Sequence, residues 1–453
     1  MSDPRAYLLE RAWVAGAIQD DVVVEIEDGR FTSVTPRGVN RHLVGQIEAN
    51  KSRIPRPGGE FARLPGLTIP GLANCHSHAF HRALRGRTQR DRGTFWSWRD
   101  QMYDVAARLD PDTYLELATV TYREMVAAGI TGVGEFHYLH HQPDGTPYDD
   151  PNEMGLVLIE AARRAGLRIT LLDTCYLSSG FGKPLEGPQV RFGDGSAAAW
   201  SDRVSGLPEA AHALVGSAIH SVRAVPRDQL SLVAEHPARA LHVHLSEQVA
   251  ENDACHAAYG ATPAQVLGDA GVLGPLTTAV HATHLTAEDV AALGGSSTYA
   301  CFCPTTERDL GDGIGPGRAL HDAGSPLTLG SDSHAVIDPF EEMRAVELDE
   351  RLATQERGHW TAADLLAAAT RHESLGWQDE AGAIAVGMRA DLVTIATDHV
   401  RTAGTGADEQ TAVFAAVAED VTHVVADGRV VFRGSDRDQL GSDLDDVIGR
   451  LWR

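Results

Sequence analysis

Short apolar runs alternate with helix-like stretches from about residue 70 to about residue 375, and no other feature restricts the fold as much. The run Thr131-Gly132-Val133-Gly134-Glu135-Phe136 follows an amphipathic stretch at 114–128. A run at 167–172 follows one at 156–165, and further runs stand at 240–245, 278–281 and 327–329. Strand–helix alternation of this kind predicts parallel βα units. A chain of 453 residues is long enough to close them into an α/β fold of the (β/α)₈ TIM-barrel type.

The two ends have a different texture. Val22-Val23-Val24-Glu25-Ile26 leads through Asp28-Gly29 into Arg30-Phe31-Thr32-Ser33-Val34, and Val421-Thr422-His423-Val424-Val425 leads through Asp427-Gly428 into Val430-Val431-Phe432. Apolar, β-branched runs on either side of Asp-Gly are a strong hairpin signal. Residues 390–395 form another strand candidate, and the Pro/Gly/Arg-rich residues 51–60 read as a loop. Both termini are therefore expected in one small β-sandwich domain, made of residues 1–69 and 376–453, around a catalytic barrel at 70–375.

Charge narrows the partners. The net charge of −24 disfavours nucleic acid and anionic membranes, which reward basic patches. An anionic substrate would need local Arg or His groups to overcome that field. Five cysteines without a CxxC pair point to a reducing, cytoplasmic setting rather than a disulfide framework. Cys301-Phe302-Cys303 reads as strand-end packing. The first residues lack a basic segment followed by an apolar one, and no uncharged run approaches the ~20 residues that span a bilayer.

Four signals carry chemistry. In Leu72-Ala73-Asn74-Cys75-His76-Ser77-His78, alternation on a strand turns His76 and His78 to the same side. In Leu241-His242-Val243-His244-Leu245-Ser246-Glu247, His242 and His244 share a face, and Glu247 falls just past the strand end. His281 ends the run at 278–281, and Asp332 follows the run at 327–329 in Gly330-Ser331-Asp332. Any one of these is an ordinary strand feature. Together they place His and Asp at the C-terminal ends of separate parallel strands, where barrel active sites lie. His76, His78, His244 and Asp332 become the expected ligands of one catalytic zinc, with iron or manganese also compatible with such a set. No Lys stands at a strand end to bridge a second ion. A bound metal would bring its water toward a pKa of about 7. Asp332 would take the proton, Glu247 would protonate the departing nitrogen and His281 would steady the developing charge.

These residues resemble the single-metal deaminase branch of the amidohydrolase superfamily. The connecting segments resemble more closely the N-formimino-L-glutamate deiminases of histidine degradation. The resemblance is carried by His76-Ser77-His78-Ala79-Phe80, Phe95-Trp96-Ser97-Trp98-Arg99, Gly134-Glu135-Phe136-His137-Tyr138-Leu139-His140-His141, Gly180-Phe181-Gly182, Ile219-His220-Ser221-Val222-Arg223-Ala224-Val225 and Leu310-Gly311-Asp312-Gly313-Ile314. It implies hydrolysis of N-formimino-L-glutamate to N-formyl-L-glutamate and ammonia. It also implies a homodimer, and substrate carboxylates held by Arg99, Tyr138, His220 and Arg223. The family pattern has Gln after His-Ser-His-Ala-Phe, whereas this chain has His81, whose reach and charge differ. A purine- or pyrimidine-type aminohydrolase of the same branch is the alternative reading, and a non-catalytic relative is disfavoured because no metal or proton-transfer residue is missing. The Gly-rich stretch at 179–195 is a candidate lid.

Overall fold

The computed structural model describes residues 6–36, 61–89, 93 and 95–453, so the loop expected at 51–60 lies outside the described residues. Four strands come first: β1 (Ala6–Val14), β2 (Ala17–Glu27), β3 (Arg30–Pro36) and β4 (Phe61–Pro70). Eight follow through the middle of the chain: β5 (Leu72–Ser77), β6 (Ile130–His137), β7 (Arg168–Cys175), β8 (Ala213–Ile219), β9 (Leu241–Leu245), β10 (Thr277–His281), β11 (Tyr299–Phe302) and β12 (Leu327–Leu329). Three more, β13 (Leu392–Ile395), β14 (Val421–Ala426) and β15 (Arg429–Arg433), lie near the other end.

The termini meet as expected, in one mixed seven-stranded sheet of order β15-β14-β13-β4-β1-β2-β3. β4 joins the two halves, parallel to β1 and antiparallel to β13. Both Asp-Gly pairs form tight turns. Asp28 and Gly29 have φ of 49° and 76°, and Asp427 and Gly428 have 48° and 76°. Two successive positive φ values match the turn to the right-handed twist of the strands.

The eight middle strands form a parallel sheet in chain order, β5 through β12. The expected runs at 131–136, 167–172, 240–245, 278–281 and 327–329 all fall in or across its strands, and Cys301 lies in β11. β8 was not anticipated, because Ala-Leu-Val-Gly-Ser-Ala-Ile lacks a continuous β-branched run.

The barrel closes between its first and last strands. Beyond Leu329 the chain runs back onto β5. The amides of Ser331 and Asp332 both donate to the His76 carbonyl, at 3.1 and 3.0 Å, and the His78 amide donates to the Asp332 carbonyl at 3.2 Å. Asn74 adds a side-chain clasp, donating to Ser331 Oγ at 2.7 Å and accepting from the Ser331 amide at 2.9 Å. A Cβ on Gly330 would lie 2.8 Å from His76 Cβ and 2.9 Å from Cys303 Sγ, so this approach needs glycine.

The β domain docks on the opposite end, against the starts of the barrel strands. Arg168, at the start of β7, donates to both carboxylate oxygens of Asp391 and lies 3.2 Å from Asp427 Oδ1. Arg168 and Asp391 side chains are each 2% exposed. Removing one partner of such a pair strands the other charge. Arg168→Met is expected to cost about 3–5 kcal/mol, read as a lower midpoint in urea denaturation; an unchanged midpoint would show that the junction does not depend on this pair.

Candidate metal centre and substrate cavity

Every residue expected at the metal stands at or just beyond the C-terminal end of a barrel strand: His76 and His78 at β5, His244 on β9 and Asp332 after β12. Their ligand atoms all lie within 4.8 Å of one another. Asp332 Oδ1 is 3.3 Å from the Nε2 atoms of both His76 and His78, and His244 Nε2 is 3.0 Å from His76 Nε2. All four residues are buried or nearly so.

The surrounding backbone sets the rings. His78 Nδ1–H donates to the Phe136 carbonyl and His244 Nδ1–H to the His220 carbonyl, each at 2.9 Å. A donating Nδ1 leaves the lone pair of a neutral ring on Nε2. Burial pushes the His76 imidazole down to about 3 and holds His244 well below its ordinary value. Three buried rings and one carboxylate converge here on a space that could hold a cation. Three nitrogens and one oxygen fit a metal of the zinc type and leave room for a water. Behind them, Ser77 Oγ–H and the Ala79 amide donate to Glu135, both at 2.6 Å. Burial raises this carboxyl to about 7.

A recess opens over the ligands. His78, His244, Asp332, Glu247 and His281 line it, and so do His81, Arg99, Tyr138, His220 and Arg223. The structure thus brings all expected catalytic and substrate-contacting side chains to one cavity. Burial raises the Glu247 carboxyl above its ordinary value, with the nearby His281 opposing. His281 Nε2 is 3.7 Å from Asp332 Oδ2. Burial alone would lower the His281 ring, but Glu247 and Glu307 outweigh it and hold it well above its usual value. The Arg223 guanidinium makes no hydrogen bond to another described residue, which leaves its donors to the cavity. His81 Nε2 lies 3.1 Å from the Tyr138 hydroxyl, and burial keeps the ring well below its ordinary pKa.

Ser246, His281, Ala282, Asp332 and His334 all have left-handed backbone, with φ between 40° and 69°. Strain of this sort persists only where the surroundings over-determine it, and it gathers at working sites. His242 does something else. Its Nε2–H donates to the Ser374 carbonyl at 2.9 Å inside the barrel, so it is a core histidine.

The sequence reading missed Trp98, Met102, Tyr103, Tyr176 and Phe192, which also line the cavity. Met102 and Tyr103 share a face with Arg99 on the helix Phe95–Arg108, so helical spacing from Arg99 would have found them. Tyr176 directly follows β7. Phe192 comes from the stretch 179–195, and no local signal marks it. In that stretch the buried Arg191 ties three segments together. It donates to the carbonyls of His141 and Leu109 at 3.0 and 3.2 Å, and to that of Ala106 at the end of the helix bearing Arg99.

A second buried group, His137, His140 and Asp173, also has the composition of a metal site. Asp173 already accepts from Arg203 at 2.8 and 3.0 Å and from Trp200 Nε1 at 2.9 Å. Arg203 in turn holds Asp194, which pairs with His141 at 3.1 Å. The guanidinium fills the place of a cation here.

A parallel barrel whose strand ends gather three imidazoles and a carboxylate under an open cavity is a barrel hydrolase with a metal centre. Residues 67–431 match the amidohydrolase family, and the chain belongs to that family. It is an enzyme acting on C–N bonds. The formimidoylglutamate deiminase of Pseudomonas aeruginosa is 38% identical over 348 residues, covering 74% of this chain and 77% of that protein. The 8-oxoguanine deaminase of the same organism is 29% identical, covering 94% and 92%. A crystal structure of an amidohydrolase from Brucella melitensis superposes with a TM-score of 0.86 at 28% identity, covering 99% of this chain and 100% of that one. No helix of the described residues is long and apolar enough to cross a membrane.

Chelator treatment is expected to lower the melting temperature, and zinc to restore it, because a ligand bound only by the folded state stabilises it. Metal analysis should find about one ion per chain and none in Asp332→Ala; a fully active metal-free preparation would rule this centre out. Acid stability tests the second group. Burial acts to raise Asp173, but Arg203 wins and brings it down to about 2. Such a carboxyl stabilises the fold above its unfolded pKa of about 3.9, and that contribution is lost as the pH falls toward 2. Arg203→Met should therefore move acid unfolding, followed by circular dichroism, to higher pH.

Proposed function

We propose that the protein hydrolyses N-formimino-L-glutamate to N-formyl-L-glutamate and ammonia, with one zinc ion held by His76, His78, His244 and Asp332. One observation carries this reading: the cavity over the ligand set also presents two guanidiniums, Arg99 and Arg223, with Tyr138 and His220 between the aromatic walls. A dicarboxylate matches two such forks, and local cations offset the repulsion from a chain of net charge −24. The identity to the Pseudomonas aeruginosa deiminase supports the same substrate.

Zinc bound here would supply an activated water at neutral pH. The chain does the rest. Asp332 accepts the proton released as the oxygen joins the formimino carbon. His281 Nε2 faces the charge that forms. Glu247, kept protonated more readily by burial, delivers one proton to the terminal nitrogen and Asp332 passes on the one it took, so the nitrogen leaves as ammonia while the hydroxyl proton of the collapsing intermediate returns to Glu247. Arg99, Arg223, Tyr138 and His220 hold the glutamate portion so that the amidine carbon meets the water. His81 stands where a substrate polar group would meet Tyr138.

A second reading is deamination of a purine-like base. The five aromatic side chains of the cavity and the 8-oxoguanine deaminase relative favour it. A substrate panel on zinc-loaded protein, with ammonia as readout, separates the two. Ammonia from the formimino compound is expected, and ammonia from purines with none from the formimino compound would overturn the proposal. Glu247→Gln should retain metal and lose about 10²–10⁴-fold in kcat. Arg223→Met should forfeit about 1.5–3 kcal/mol, seen mainly in KM.

A further inference from the structure

One buried carboxylate beside this machinery has no part in the steps above. Glu307 belongs to the helix Pro304–Leu310, which begins just after β11. Its Oε1 accepts from the Cys303 amide at 2.9 Å and lies 3.3 Å from His281 Nδ1. The side chains of His281 and Glu307 are 1% and 6% exposed, so little water competes for this contact. The opposite ring nitrogen, Nε2, faces Asp332 at 3.7 Å. An ionised carboxylate offers only acceptor oxygens, and this one already accepts from a backbone amide. The ring must therefore be the donor, with its hydrogen on Nδ1.

The backbone gives this carboxylate work to do. His281 and Ala282 both sit in the left-handed region, with φ of 69° and 48°. The ring is thus carried on a strained turn, and Glu307 Oε1 lies within hydrogen-bond distance of its Nδ1. Glu307 is fixed at both ends of its residue: its carboxylate by Cys303, and its carbonyl by the Asp312 amide at 2.9 Å.

We propose that Glu307 is a positioning residue for the hydrolysis: by holding Nδ1–H it fixes the orientation of His281 and keeps Nε2 aimed at the reacting centre. This inference rests on the catalytic role given to His281 above. It does not depend on which C–N substrate the cavity takes. Groups that orient an active-site imidazole in this way are typically worth about 10–100-fold when removed.

The test combines kinetics and spectroscopy on the zinc-loaded full chain. Glu307→Ala should lower kcat about 10–100-fold while KM and zinc content stay near wild type. Glu307→Gln, whose amide oxygen can still accept from Nδ1–H and Cys303, should recover most of that loss. In a His281→Asn background Glu307→Ala should have no further effect, because residues acting as a unit are non-additive. Losses that multiply across the two sites, or a Gln variant as poor as the Ala one, would overturn the proposal. Long-range ¹H–¹⁵N spectra of histidine-labelled protein supply a readout free of substrate. The Nδ1–H signal assigned through His281→Asn should be present in wild type and Glu307→Gln and lost in Glu307→Ala. Its absence from wild type would sink the positioning role even if formimino turnover were robust. Its presence in a protein inert toward the formimino compound would support the positioning role and remove only the substrate assignment.

Discussion

The seam between β5 and β12 is the contact on which the rest depends. Closing a barrel and assembling a metal site are separate tasks in principle. In the proposed site the same hydrogen bonds do both, because the His76 carbonyl that accepts from Ser331 and Asp332 belongs to a proposed ligand, and so does the Asp332 carbonyl that accepts from His78. Asn74 and Gly330 have no chemistry of their own. One clasps Ser331, and the other lets two backbones approach closer than any side chain would allow. The left-handed conformation of Asp332, at φ 40°, is kept in place by this closure. Ring-closing contacts supply what a free loop could not, namely a carboxylate held at a fixed distance from two imidazoles.

Around that seam the electrostatics is arranged by burial. Desolvation keeps His76 and His244 neutral and raises Glu247, which are the protonation states that a ligand set and a proton donor require. The second His-rich group shows how little separates a ligand set from a structural network. His137, His140 and Asp173 are as closely grouped as the first set, yet Arg203 supplies their positive charge from within the chain. Composition and spacing alone do not distinguish the two. A guanidinium brought from a distant segment does.

Much of this was legible in the sequence, for identifiable reasons. His76, His78, His244, His281 and Asp332 sit at strand ends, and strand ends converge in a parallel barrel, so one local rule located five side chains. The Asp-Gly pairs fixed two hairpins because only a few residues accept positive φ. What stayed hidden depends on long-range contact. Phe192 reaches the cavity through a loop with no periodic pattern, and Arg191 is buried against carbonyls from two separate segments. β8 escaped notice because its small residues pack by neighbourhood rather than by propensity. Glu307 looks like any solvent-facing helix carboxylate until the turn at His281 is seen beside it.

The cavity draws its two halves from different parts of the scaffold. The ion-facing half belongs to rigid strands sealed by the barrel's own closure. The opposing half comes from the helix Phe95–Arg108, the turn after β8 and the loop bearing Phe192, with Arg191 tying the end of that helix to the segment after β6. Mutational drift in that outer group can alter what is gripped without disturbing how a C–N bond is broken. One hydrolytic engine can thus be refitted to unlike molecules, which is the evolutionary freedom expected of a lineage whose members carry the names of both amino-acid and nucleobase deaminases.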